Sequence, residues 1–168
     1  MKLKNKDLKK KLLKQVPIIL LFMSVLNNFD FNYLGLKYFS FNFSYILIFY
    51  FSLKRSSSLG YTYIFIAGLF NDVVNGSPIG ISSLMYLFLC GVAAYLRVIT
   101  LRTSFFKDWI AFVGAILILN SLSFVIVNLF FNFEISFINQ IVNIFFTSLL
   151  YLLFSSIFSF FKGSSSVR

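Results

Sequence analysis

The sequence predicts an all-α integral membrane protein with six transmembrane helices and both termini in the cytoplasm. Three observations predict it. Of 168 residues, 59% are hydrophobic, 21% aromatic and only 12% charged, and 25 are Phe. A water-soluble chain of this length has no interior large enough to hide so much apolar surface. The apolar residues gather into runs, several of them close to the ~20 residues that a spanning helix needs. The 15 Lys and Arg, set against 5 Asp and Glu, sit before and between those runs, which is how membrane orientation signals are distributed. A nucleic-acid groove would cluster them on one face instead, so no nucleic-acid partner is expected.

Taken in order, residues 1–15 form a basic cytoplasmic segment containing Lys2, Lys4, Lys6, Lys9, Lys10, Lys11 and Lys14. Such a head sets topology and is also suited to anionic lipid, at about 1 kcal/mol per basic residue near the surface. A six-helix transmembrane domain follows over residues 16–161. Its spans are Val16–Leu34, Phe39–Leu53, Leu59–Val74, Ile79–Val98, Trp109–Phe131 and Ser136–Phe161, and residues 162–168 form a cytoplasmic tail. The second and third spans are short, and the last is long enough to tilt. Runs such as Val16–Leu26 and Ile110–Leu119 do not alternate apolar with polar residues, which argues against a β-barrel. The first run follows a basic stretch as a signal peptide would. It continues into Leu26-Asn27-Asn28-Phe29-Asp30 without a small-residue cleavage site, and so reads as an uncleaved span. With the amino terminus inside, 14 of the 15 basic residues fall on the cytoplasmic side and only Lys37 falls outside. A five-span or inverted model would spoil that segregation.

Several kinds of chemistry are excluded by composition. There is no His, which removes His-based triads and His-ligated metals. The single cysteine, Cys90, lies inside an apolar run and reads as an inert apolar residue. No Gly-rich phosphate loop with a Lys is present. No cofactor is expected, and the chain reads as a non-enzyme. Asp30 and Asp72 do not make an intramembrane aspartyl protease, since both fall near the outer ends of their spans.

One segment carries a pattern: Gly68-Leu69-Phe70-Asn71-Asp72-Val73-Val74-Asn75-Gly76-Ser77-Pro78-Ile79-Gly80. Gly68 and Asp72 share a helix face. Asn75-Gly76 is a turn dipeptide, Ser77 suits an N-cap and Pro78 the first helical position, while Gly68 and Gly80 leave room for a second helix to approach. The pattern describes a tight helical hairpin between the third and fourth spans. Asp72 has two readings here. Its carboxylate can face the positive amino end of the fourth span, for a gain of a few tenths to ~1 kcal/mol, or it can contact a ligand or partner.

The series Gly68-Leu69-x-x-Asp72-x-x-x-Gly76-x-Pro78-x-Gly80, followed by Leu84 and the span Met85–Leu96, resembles the signature of the rod shape-determining protein MreD family. The motif covers about thirty residues, and length, span number and basic amino end are also similar to that family. The resemblance implies a component of the bacterial cell-elongation machinery in the cytoplasmic (inner) membrane. Its implied partners are an MreC-type protein and, through it, MreB and the RodA–penicillin-binding-protein synthase. It also implies a fold similar to the substrate-binding components of energy-coupling-factor transporters.

Elsewhere, Asn27, Asn28, Asn120, Asn128, Asn139 and Asn143 are expected to hydrogen-bond between helices rather than line a solute pocket. Ala111, Gly114 and Ala115 offer a small-residue face for close helix packing, Trp109 and the Tyr residues suit the interfaces, and Glu134 suits a solvated loop. From the residues alone, a scaffold and a solute-binding module of a vitamin-type transporter stand nearly level. The family resemblance favours the scaffold.

Overall fold

The computed structural model describes residues 15–26, 40–54, 59–99, 104–131 and 137–165. Among them every regular element is helical: α1 (Gln15–Leu26), α2 (Phe43–Lys54), α3 (Tyr61–Asn75), α4 (Ile81–Ile99), α5 (Phe105–Phe131) and α6 (Phe137–Ser165). Three of these, α4, α5 and α6, are long and apolar enough to cross a membrane, whereas α1 and α2 are shorter apolar helices. The Lys-rich head, the second half of the expected first span with Asp30, and Lys37, Arg55, Arg102 and Glu134 lie outside the described residues.

The chain forms two compact units. The first comprises Met1–Asn28 and Leu47–Ile99, the second Phe29–Ile46 and Thr100–Arg168. In the first, α3 packs along α4 as an antiparallel pair. On α4 the buried residues Met85, Leu89 and Ala93 recur every four positions, with Tyr86 and Cys90 beside them. Leu84, Phe88 and Tyr95 stay exposed on the opposite side, as expected of a helix with one face turned to a core. The carboxyl end of α2 is tied to α4 twice: the Ser52 hydroxyl and the Cys90 thiol lie 3.2 Å apart, and Arg97 donates to the Ser52 carbonyl at 3.2 Å. That bond satisfies a carbonyl in the last turn of α2, where a cation also meets the negative end of the helix dipole. The edge contact between Phe22 and Phe70 brings α1 against α3.

In the second unit α5 and α6 run antiparallel. Trp109 Nε1 donates to the Ser148 carbonyl (2.9 Å) and Gln140 Nε2 to the Asn120 carbonyl (3.0 Å), and the Phe112 and Tyr151 rings stack at 4.2 Å. The segment entering α2 is fastened to α6 by a polar chain. Asn143 donates to Ser40, Thr147 to Asn143, and the Asn42 amide N–H to Thr147 Oγ1. Asn42 Oδ1 in turn accepts the Tyr45 N–H and caps the first turn of α2.

Helix ends differ from the sequence expectation in several places. Helix α2 starts at Phe43 rather than Phe39, and α6 runs on to Ser165 rather than Phe161. Two further differences have a local physical reason. Helix α5 begins at Phe105, four residues early, because a helix can carry Lys107 and Asp108 in its first turn, and Asp108 there suits the positive dipole end. Trp109, now inside the first turns of α5, donates its indole N–H to the Ser148 carbonyl of α6. Helix α4 begins at Ile81 rather than at Pro78 or Ile79, for reasons that belong to the hairpin itself.

Candidate functional site

The hairpin joining α3 and α4 brings together Gly68, Asp72, Gly76, Pro78 and Gly80. Helix α3 ends on Gly76, whose φ of 64° is a left-handed conformation that a Cβ disfavours. Two bonds close the end: the Gly76 N–H reaches the Val73 carbonyl and the Ser77 N–H reaches the Asp72 carbonyl (3.0 Å). This is the Schellman arrangement, which usually adds an apolar contact across the turn. Here a polar one links the same two positions, since the Ser77 hydroxyl donates to Asp72 Oδ1 at 3.1 Å.

The chain then turns again. The Ile81 N–H reaches the Pro78 carbonyl at 3.4 Å, placing Gly80 third in a four-residue turn with φ 103°, a position that calls for glycine when φ is positive. The Gly80 carbonyl accepts the first intrahelical bond of α4, from the Leu84 N–H at 2.9 Å, so Gly80 is the N-cap residue. It has no side chain to cap with. Asp72 supplies the missing acceptor from the other helix: Oδ2 takes the Gly80 N–H at 2.7 Å, and Oδ1 takes the Ser82 N–H at 3.0 Å.

Three assignments made on sequence grounds therefore change. Ser77 does not cap α4, Pro78 lies in the turn before the helix, and Gly80 is needed for its positive φ rather than for close approach, since a Cβ there meets nothing within 4 Å. Gly68 is the close-approach residue. A Cβ on it would fall 2.6 Å from Ser83 N, 2.7 Å from Ser83 Oγ and nearer still to Ser83 Cα. Ser83 Oγ also donates to the Phe65 carbonyl of α3 (2.9 Å), and Asn71 Nδ2 donates to Ser82 Oγ (2.9 Å). Ser82, Ser83 and Asn71 were missed by sequence reasoning. The available signal was a Ser-Ser pair in the first turn of an apolar helix, where hydroxyls need helical partners.

Asp72 is fully buried (0% exposed). It sits in the last turn of α3, at the negative end of that helix dipole, where a carboxylate is disfavoured; the N–H groups of α4 outweigh this because a charged hydrogen bond is worth about 1.5–3 kcal/mol. With Ser77, Gly80 and Ser82 all donating, both carboxylate oxygens are occupied inside the hairpin. Among the described residues no group of three or more His, Cys, Asp or Glu stands where a metal could be held.

A family model described as rod shape-determining protein MreD matches residues 9–162. The chain belongs to the MreD family. That membership carries a role in rod shape determination and, with three long apolar helices, a membrane location. No curated protein and no solved structure matches the chain. The MreD match runs from ahead of α1 into α6 and so takes in the whole hairpin.

Proposed function

We propose that this MreD-family chain is a non-enzymatic membrane scaffold of the bacterial cell-elongation machinery, acting in rod-shape maintenance and lateral peptidoglycan synthesis. The observation that carries the reading is the internal use of Asp72. The one charged residue between Arg55 and Arg97 spends both carboxylate oxygens holding α3 to α4, which is a structural use and not a chemical one. The scaffold is a six-span, multi-pass protein of the cytoplasmic membrane, with residues 1–15 and 162–168 in the cytoplasm and a helical fold of the energy-coupling-factor substrate-binding type. Its partners are an MreC-type protein and, through it, MreB and the RodA–penicillin-binding-protein synthase. Because its proposed non-membrane segments are short, binding runs through helix faces and short loops. A solute-binding role would need polar groups left facing a cavity. The site offers no support for one, since Asn71, Asp72, Ser77, Ser82 and Ser83 all bond within the hairpin. The test is depletion in a rod-shaped host together with co-purification in mild detergent. Cells should round, and an MreC-type protein should be retained; unchanged shape after complete depletion refutes the proposal.

A further inference from the structure

The hairpin that joins α3 and α4 is short for a turn that meets water. Both ends of α3 are defined, by Gly60 before Tyr61 and by Gly76 after Asn75. Its 15 residues make a rod of ~22 Å at 1.5 Å per residue, against a hydrocarbon core of ~30 Å. Any tilt shortens its reach further. If the exposed Tyr61 and Tyr63 hold one end at an interface, as such rings do, the turn falls several ångströms short of the other interface, unless the bilayer thins to meet it.

The surface of the turn fits that depth. From residue 56 to residue 96 the only charged side chain is Asp72, and it is buried. The N–H groups of Gly76, Ser77, Gly80, Ile81 and Ser82 all donate within the hairpin. What the turn shows outward is mainly apolar: Ile79 is 75% exposed and Val73 65%, with Phe70 and Val74 beside them. Asn75 is an exposed polar side chain among them, suited to the headgroup side. This surface continues the exposed Leu84 and Phe88 of α4, a helix long and apolar enough to cross the membrane. Irregular backbone is excluded from the middle of a bilayer but tolerated at its boundary. We propose that the α3–α4 turn lies at the headgroup–acyl boundary, with Val73, Val74 and Ile79 seated among lipid chains instead of displayed to water or to a partner protein. The inference rests only on the membrane location of the chain, and is independent of the scaffold role.

Cys90 is the only cysteine, so a Cys90→Ser background accepts one environment-sensitive fluorophore at Ile79→Cys, or at Val73→Cys should the first variant not accumulate. A label at Leu117→Cys, exposed along α5, serves as reference. In vesicles of phosphatidylethanolamine and phosphatidylglycerol, emission from position 79 should be blue-shifted. Lipids spin-labelled near the headgroup should quench it more than lipids labelled near the chain end, and aqueous iodide should leave most of it intact. Quenching by iodide to the extent seen for the free dye overturns the proposal in favour of water. Protection from both lipid and iodide overturns it in favour of a second protein copy covering the turn. Absence of lipid quenching at position 117 as well shows instead that the chain is not embedded, which defeats the premise.

Discussion

Removing the Asp72 carboxylate tests the hairpin most directly. In Asp72→Ala the Gly80 and Ser82 N–H groups lose their acceptor, while the Ser77 hydroxyl is free to rotate toward another, including the Asp72 carbonyl that it already approaches at 3.5 Å. Each buried N–H left unmet costs about 1–3 kcal/mol, so the pair costs roughly 4 kcal/mol. For a chain of this size that lowers the unfolding midpoint by about 8–16 °C. Asp72→Asn is milder. Its amide oxygen in the Oδ2 position still receives the Gly80 and Ser82 N–H groups, which now lie 2.7 and 3.3 Å from that atom, and its NH2 can donate to the Ser77 hydroxyl. What it loses is the charge and the shorter Ser82 bond, about 1–2 kcal/mol or 2–8 °C. The assay is built into the sequence. Cys90, buried on α4, is the only thiol, and a fluorogenic maleimide will report its release as the purified protein is heated in mild detergent. An Asp72→Ala protein that unfolds at the wild-type midpoint would refute the clamp. A folded Asp72→Asn protein that loses its partner would show that the carboxylate is read from outside.

Two further outcomes follow from the same geometry and from the charge pattern. Gly68→Ala drives a methyl into the Ser83 backbone and should cost about 1–3 kcal/mol in the same thermal assay; rescue by Ser83→Gly would contradict the account, because Ser83 N and Cα, not only Oγ, fill the space. Reporter fusions at Arg168 and near Ser57 should read cytoplasmic and one at Asn132 external, since 14 of 15 basic residues then lie inside, and an external carboxyl terminus would sink the six-span count.

The helical class and the long apolar helices α5 and α6 were legible because hydropathy reports the membrane itself. So was the place of the turn, since Asn75-Gly76 is a local signal, as was the shared face of Gly68 and Asp72, which needs only helical spacing. The start of α4 was not. Ser77-Pro78 reads as a helix start by local rules, but the acceptor that caps α4 belongs to α3, and no window around residue 80 contains it. Burial was equally hidden. All of Ser44–Leu53 in α2 is buried, polar and apolar residues alike, whereas Leu117 and Ile118 on α5 are exposed. Leu, Ile and Phe make up both surfaces, because a protein core and a lipid chain are equally apolar.

Why this turn needs an ionisable side chain follows from a conflict at one residue. The N-cap of a helix is ordinarily a Ser, Thr, Asp or Asn whose own oxygen receives the N–H groups of the first turn. At position 80 the chain adopts φ 103°, well beyond the left-handed well near +57° that Asn and Asp tolerate. Glycine is therefore required by the backbone, and glycine has no oxygen to offer. In water the exposed N–H groups would bond to solvent, but Ser83 is buried, Ser82 is half-buried and the neighbourhood is apolar, so the acceptor has to come from the protein. It has to reach two donors, the N–H groups of Gly80 and Ser82, and a hydroxyl at 77, which a carboxylate with four lone-pair positions does and a single hydroxyl does not. The last turn of α3 is the nearest rigid point from which such a group can be aimed, and the approach of the two helices at Gly68 sets its distance. Gly68, Asp72, Gly76 and Gly80 are thus one device: two glycines bend the chain, one lets the helices meet, and the carboxylate replaces the cap that the bend removes.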